Sequence, residues 1–320
     1  MRRKIFPTFI FSLIFILNNS AIFSSSLWDK YIIRMQMLTP PPINEEVFLE
    51  IMKRRYNSES IEDLVINGLS DEESIIRTSS IIYIGNHKIK SATAKMLDML
   101  KNAKEIEEKK WLIWALGEIA SSNDVLALSQ YLRDEDNPYI LNLLAASISK
   151  IATNDGSITP LLMLSKNSKS LYIKSTALIG IGKIGDTRAF NDIWDLAINH
   201  QLKEIRFVSL LALSRVTREE DKEKISKILT DRFNIVETMH EKLAIAYTVQ
   251  KLTGYNQDFY KFIVSMLDKQ YFNEISLDLL EDLPYPQGKE RLEIVAMNYP
   301  FPPLKKRLDD LVEKLRKRWK

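Results

Sequence analysis

The chain has 320 residues, of which 45% are hydrophobic and 27% charged, so it can bury a large core and is not disordered. It has no cysteine, which excludes disulfides, thiolate metal sites and a cysteine nucleophile. The net charge of +3 comes from Arg2, Arg3 and Lys4, the only charged side chains in the first 26 residues; the remainder is balanced and lacks the basic excess a nucleic-acid binder needs.

In chain order, Arg2-Arg3-Lys4 opens a positive segment, Ile5 to Leu17 is apolar, and Ser24-Ser25-Ser26 supplies small residues at a cleavage position. This is the three-part pattern of a secretory signal peptide over residues 1–26. The apolar run is shorter than the ~20 residues a spanning helix needs. Export places the mature protein in the periplasm or outside the cell, with an inner-membrane anchor as the alternative. Leu27 to Leu38 reads as a short helix. Thr39-Pro40-Pro41-Pro42 is an extended link. Asn44 reads as the N-cap of a helix carrying Val47, Phe48, Ile51 and Met52, so that 27–59 forms an N-terminal cap and link.

From residue 60 a repeat sets in. KSTALIGIGKIGD (174–186), KKWLIWALGEIAS (109–121), RFVSLLALSRVT (206–217), RTSSIIYIGNH (77–87), LNLLAASISKIA (141–152) and KLAIAYTVQKLT (242–253) align with a small residue at Gly85, Gly117, Ser149, Gly182 and Ser214, and with Gln250 in the last copy. Apolar residues recur at i, i+3, i+4 and i+7, as in Leu112, Ala115, Leu116 and Ile119, which is one helical face. A first helix precedes each copy, near Ile61–Leu69, Ala92–Leu100, Val125–Leu132, Ser157–Leu164, Ala189–Ile198 and Lys224–Phe233. Turns such as Asp71-Glu72-Glu73, Asn154-Asp155-Gly156 and Gly185-Asp186-Thr187 punctuate the helix ends. Asp134-Glu135-Asp136 lacks calcium-loop spacing and reads as a cap. A hairpin of two such helices hides its apolar face only against a neighbour, so residues 60–255 predict an all-α solenoid of about six hairpins.

With ALGEIA at 115–120, IGIGKIGD at 179–186 and a basic residue eight positions before the small one (Arg77, Lys109, Lys174, Arg206, Lys242), the chain resembles the HEAT repeat family in its short, phycobilisome-lyase-like form. Leu141 departs from that pattern, and only Asp71 and Arg77 show the aspartate–arginine offset of longer HEAT repeats. The resemblance implies an architecture rather than an activity.

Beyond Gly254, helices near Asp258–Asp268, Glu274–Leu283 and Lys289–Met297 read as a degenerate repeat and cap over 256–320. The last helix, Leu304 to Trp319, has an apolar stripe of Leu304, Leu308, Leu311, Val312, Leu315 and Trp319. Its basic residues are Lys305, Lys306, Arg307, Lys314, Arg316, Lys317, Arg318 and Lys320. A contact with an anionic membrane stands beside a packed cap.

No constellation for chemistry emerges. HEAT-like hydroxylases of the deoxyhypusine type need several His-Glu pairs, and only His240-Glu241 is present; His240 reads as a surface residue, His87 and His200 as caps at helix ends. P-loop, Rossmann and G-x-S-x-G patterns are absent. The expectation is a chain that is not an enzyme, with no catalytic residue, metal or cofactor. The candidate surface is the second-helix face. After the small residue come Asn86, Glu118, Lys150, Lys183, Arg215 and Lys251, a row of cations at the ~8–10 Å spacing of packed helices. One turn earlier lie Ile82, Trp114, Ala146, Ile179, Leu211 and Tyr247. On the concave side of a solenoid, an apolar floor with a basic edge would take an acidic or amphipathic peptide of a protein partner. Simple exposure of lysines is the competing explanation, and Trp111 and Trp114 read as core aromatics.

Overall fold

The computed structural model describes residues 26–36, 38–152 and 158–318. Residues 1–25, on which the signal-peptide expectation falls, the Asn154-Asp155-Gly156 turn, Trp319 and Lys320 lie outside the described residues. Among those described, every regular element is helical. They form two compact units, one of Ile32–Ile184 and one of Gly185 onward with the residues up to Tyr31; the division falls inside the repeat region rather than at its edges.

In the first unit, α1 contributes its second half (the helix is Leu27–Gln36), followed by α2 (Glu45–Arg55) and four hairpins: α3 and α4 (Ile61–Gly68, Ser74–His87), α5 and α6 (Thr93–Asn102, Ile106–Ile119), α7 and α8 (Val125–Asp134, Pro138–Ile151), and α9 and α10 (Ile158–Asn167, Leu171–Ile184). The longer second helices α4, α6, α8 and α10 pack in succession, each with its own first helix. The second unit has hairpins α11 and α12 (Phe190–Asn199, Lys203–Val216) and α13 and α14 (Lys222–Ile235, Met239–Thr253), then α15 (Gln257–Ser265), α16 (Asn273–Asp282), α17 (Lys289–Met297) and α18 (Pro302–Arg318).

The second helices begin about three residues before the similarity in the sequence does. The third residue of these first turns is a buried isoleucine in four of them, Ile76, Ile140, Ile173 and Ile205, but α6 and α14 carry Glu108 and Glu241 there, which interrupts the repeat. Asn137 shows how such a start is fixed: its side chain accepts from the amides of Tyr139 and Ile140, and Pro138 follows at the first helical position. Asn44 caps α2 as expected, but only Phe48 and Met52 of its apolar residues are buried, whereas Val47 and Ile51 are exposed. A single 3-10 turn leads into α5, α7, α11 and α13. Core positions such as Leu112, Leu116, Leu144, Leu178 and Leu213 are fully buried, each stabilising by roughly 1.5–3 kcal/mol.

Two arginines tie successive repeats. Arg77 donates to the carbonyls of Asp71 and Glu72 at 2.8 and 2.9 Å and to Glu108 of the next second helix at 3.0 Å. Arg206 repeats the device on the carbonyls of His200 and Gln201, at 2.7 and 2.9 Å, and on Glu241, at 2.9 and 2.8 Å. For Arg77 and Arg206 this is the task of the basic residue eight positions before the small one: it satisfies free carbonyls and reaches an acid one repeat on, whereas Lys174 donates to the carbonyls of Ser165 and Lys166 in its own hairpin.

Candidate functional site

The small-residue position brings second helices close together. A Cβ on Gly117 would stand 2.7 Å from Ser147 Oγ and 3.2 Å from Ser147 Cα, and one on Gly85 would enter the Trp114 ring. On α10 the tight approach, to Ser149, is made by Gly180, two residues before Gly182. Ser147 Oγ donates across the contact to the Ile113 carbonyl at 2.8 Å.

The apolar row is not an open floor. Ile82, Trp114, Ala146, Ile179, Leu211 and Tyr247 are all buried. Trp111 and Trp114 meet edge to face at 6.4 Å as core rings. In the first unit, Asn142 lies one turn before Ala146. It donates to the Met35 carbonyl at 2.8 Å and accepts from Thr176 at 2.9 Å, so the end of α1 sits on this face. In the second unit, burial and Asp282 push the Tyr247 phenol far above its ordinary pKa, and Tyr247 Oη donates to Asp282 at 2.7 Å.

The cation row also differs from expectation. Lys150 pairs with Glu118 at 2.5 Å, and Lys183 donates to the Lys150 carbonyl at 2.8 Å. Lys251 pairs with Asp282 at 3.0 Å. Arg215 alone of the four is exposed, and its carbonyl lies against Gly185, whose φ is +70°. Rungs one helix apart are within side-chain reach, so a row containing Glu118 bridges itself instead of offering a line of charge.

In the first unit this face does hold the second half of α1, where Asn142 donates to the Met35 carbonyl. None of the ten residues of α1 is exposed. Lys30, with a side chain 6% exposed, pairs with Glu281 of α16 at 2.5 Å. Arg307 of α18 donates to Glu281 at 3.0 and 2.7 Å and to Asp278 at 2.7 Å. Burial opposes the Arg307 charge, but Glu281 and Asp278 more than offset it and hold the guanidinium above its ordinary pKa.

That arrangement corrects the membrane expectation for α18. Leu308, Leu311, Val312 and Leu315 are buried, so the stripe that would enter a lipid layer is already covered; α18 packs on α16 and α17. Lys305 bonds Asp309 at 3.0 Å and the Ala296 carbonyl at 2.9 Å, Arg316 bonds Glu293 at 2.8 Å, and Lys317 lies 3.4 Å from Glu313. Lys306 and Lys314 are exposed, and the Arg318 side chain lies outside the described residues.

His240 is not a surface residue. It is wedged between Phe207 and Phe272, with centroids at 6.2 and 4.7 Å, and burial, aided by Lys203, pushes its pKa down to about 4. His87 stacks on Tyr83 and faces Glu45 at 2.9 Å rather than capping a helix. His200 Nδ1 accepts from the Leu202 amide at the mouth of α12, at 3.1 Å. Among the described residues no group of three His, Asp or Glu is placed to hold a metal. A cleft of about 870 Å3 beside α7 and α9 is lined by Leu126, Leu141, Met163 and Ile173, and sequence periodicity gave no sign of it.

No family model matches the chain, and no curated protein matches it. Among solved structures it is similar to the complex of CpcE and CpcF of phycocyanin lyase from Nostoc sp. PCC7120. The identity is 16%, the TM-score 0.47, and the match covers 81% of this chain and 97% of that one. The similar structure belongs to a lyase, so the expectation that this chain is not an enzyme is withdrawn.

Proposed function

We propose that the protein is an exported, HEAT-type helical-repeat scaffold that holds a helical segment of a protein partner on the face of its second helices. One observation carries this: α1, a ten-residue helix, has no exposed residue, and in the first unit Asn142 of second helix α8 donates to the carbonyl of its Met35. A helix this short is marginal alone in water, so the face supplies its order, as a helix-receiving groove does for a partner. Export rests on the three-part pattern of residues 1–26.

The test is fractionation and site-specific photo-crosslinking in the native envelope. The mature chain should fractionate with the periplasm. A crosslinker at Arg215, the exposed member of the cation row, should capture a defined protein that one at Lys227, on first helix α13, does not. Retention in the cytoplasm, or identical capture from both positions, would remove the proposal.

A further inference from the structure

Leu141 stands where most repeats carry a basic residue. Elsewhere that residue ties off the end of its own first helix. Arg77 donates to the carbonyls of Asp71 and Glu72, Lys174 to those of Ser165 and Lys166, and Arg206 to those of His200 and Gln201. Leucine has no donor, so position 141 gives none to the carbonyls that end α7. Arg77 and Arg206 also meet an acid at the third position of the next second helix, Glu108 or Glu241. Between α8 and α10 the same two positions are Leu141 and Ile173. An apolar pair thus replaces an ion pair, and both residues line the cleft of about 870 Å3 in the first unit.

α7 and α9 wall that cleft, with Leu126 67% and Met163 51% exposed on its lips. Half of a short helix, taken as a cylinder 10–12 Å across and 15 Å long, fills about 600–850 Å3, so the cleft has room for one. Its polar end is formed by Glu135, Asp136 and Lys169. Lys109 holds Glu135 at 2.9 Å, and Asp136 and Lys169 carry one charge of each sign. Arg133 and Asp134, whose side chains lie outside the described residues, also carry one of each. Asn137 caps α8, Ser170 Oγ accepts from the Ile173 amide of α10 at 3.5 Å, and Lys174 covers the end of α9. The carbonyl end of α7, about half a negative charge, tips this balance towards a cation.

We propose that the cleft seats an amphipathic helix of a protein partner. Its apolar stripe lies between α7 and α9, and a Lys or Arg at the end of the stripe donates to the last carbonyls of α7, as Lys174 does to those of α9. The cation missing at position 141 is supplied by the partner. This seat opens on the first-helix side and is independent of the second-helix face.

The test uses the full chain and three fluorescent helices closed by a lactam bridge. Each has Leu at the first three places of an i, i+3, i+4, i+7 stripe and Lys, Gln or Glu at the fourth. Anisotropy should show saturable binding of the Lys helix, weaker by roughly fivefold or more with Gln and roughly tenfold or more with Glu. Leu141→Lys supplies the cation from within and should weaken the Lys helix by roughly tenfold. The double variant Leu126→Ser, Met163→Ser changes only exposed lips, so it should fold and weaken binding to a similar extent. Arg215→Glu, in the other unit, should leave binding as it was. Should Leu141→Lys fail to fold, the lip variant and the Gln and Glu helices decide. Failure of the Lys helix to saturate, equal binding of the three helices, or undiminished binding by the lip variant or by a folded Leu141→Lys chain overturns the proposal. Displacement of the Lys helix by dodecanoate, with dodecanoate bound as tightly by Leu141→Lys, would make the occupant an acyl chain. A dimer of the unmodified chain that the lip variant dissolves would make it a second copy. Either result also overturns the proposal.

Discussion

Replacing Gly117 with alanine tests the close packing of second helices with a sign as well as a size. In an exposed helix the change should stabilise by up to about 1 kcal/mol. Here the new Cβ meets Ser147 Oγ at 2.7 Å, Cβ at 3.0 Å and Cα at 3.2 Å. Ser147 Oγ is anchored on the Ile113 carbonyl, and Cα belongs to the α8 backbone, so neither yields easily. Overpacking typically costs about 1–3 kcal/mol. With backbone among the atoms struck, the upper half of that range applies, and the net loss should be about 1–2 kcal/mol after the propensity gain. Ser147→Gly in the same chain removes the two side-chain contacts. The pair should therefore be less destabilising than the sum of the single changes, with a coupling of about 1 kcal/mol. Urea unfolding of the four proteins, followed by tryptophan fluorescence, reports locally because Trp114 lies against Gly85 on this stack. A Gly117→Ala protein as stable as the parent, or strict additivity, would refute the close approach.

Other expectations follow from single groups. The folded-state pKa of His240 is about 4, below its unfolded value near 6.5, so the unfolded chain binds more protons between these values. Stability should be full above pH 6.5 and fall by about 2 kcal/mol as pH drops toward 4, with allowance for partial exposure; urea midpoints of His240→Phe should lose that slope. Arg307→Met leaves Asp278 and Glu281 without their guanidinium and should destabilise by about 3–5 kcal/mol in thermal or urea unfolding. Lys150→Glu places like charge beside Glu118 and should destabilise by about 1–2 kcal/mol, whereas Arg215→Glu, at an exposed position, should stay within about 0.5 kcal/mol in the same assay.

The helices were legible because burial at every third or fourth residue is a local property: Leu112, Ala115, Leu116 and Ile119 announce one face of α6, and all are buried. The first turns were harder to read, because Ile76, Ile140, Ile173 and Ile205 are buried at the third position while α6 and α14 carry Glu108 and Glu241 there, which breaks the repeat. Cross-repeat ties were half visible. Arg77 and Arg206 stood out by position, but Glu108 and Glu241 carry no mark of their own beyond an interval of 31 and 35 residues. The seat of Lys30 was hidden because Glu281 lies 251 residues away, beyond any periodicity. One signal was present: Leu27, Trp28, Tyr31, Ile32, Ile33 and Met35 mark α1 as a helix that packs, but Lys30 and Arg34, one turn apart, read as an ordinary solvent face. The cation row misled because sequence fixes where a side chain starts and not what it reaches; Glu118 one rung away takes Lys150.

The burial of α1 can be read directly by hydrogen–deuterium exchange of the protein. Residues 27–36 should exchange as slowly as α8 or α12, since a free helix of ten residues protects almost nothing. Exchange of that segment at the rate of an unstructured peptide, with α8 and α12 still protected, would contradict a helix-receiving face.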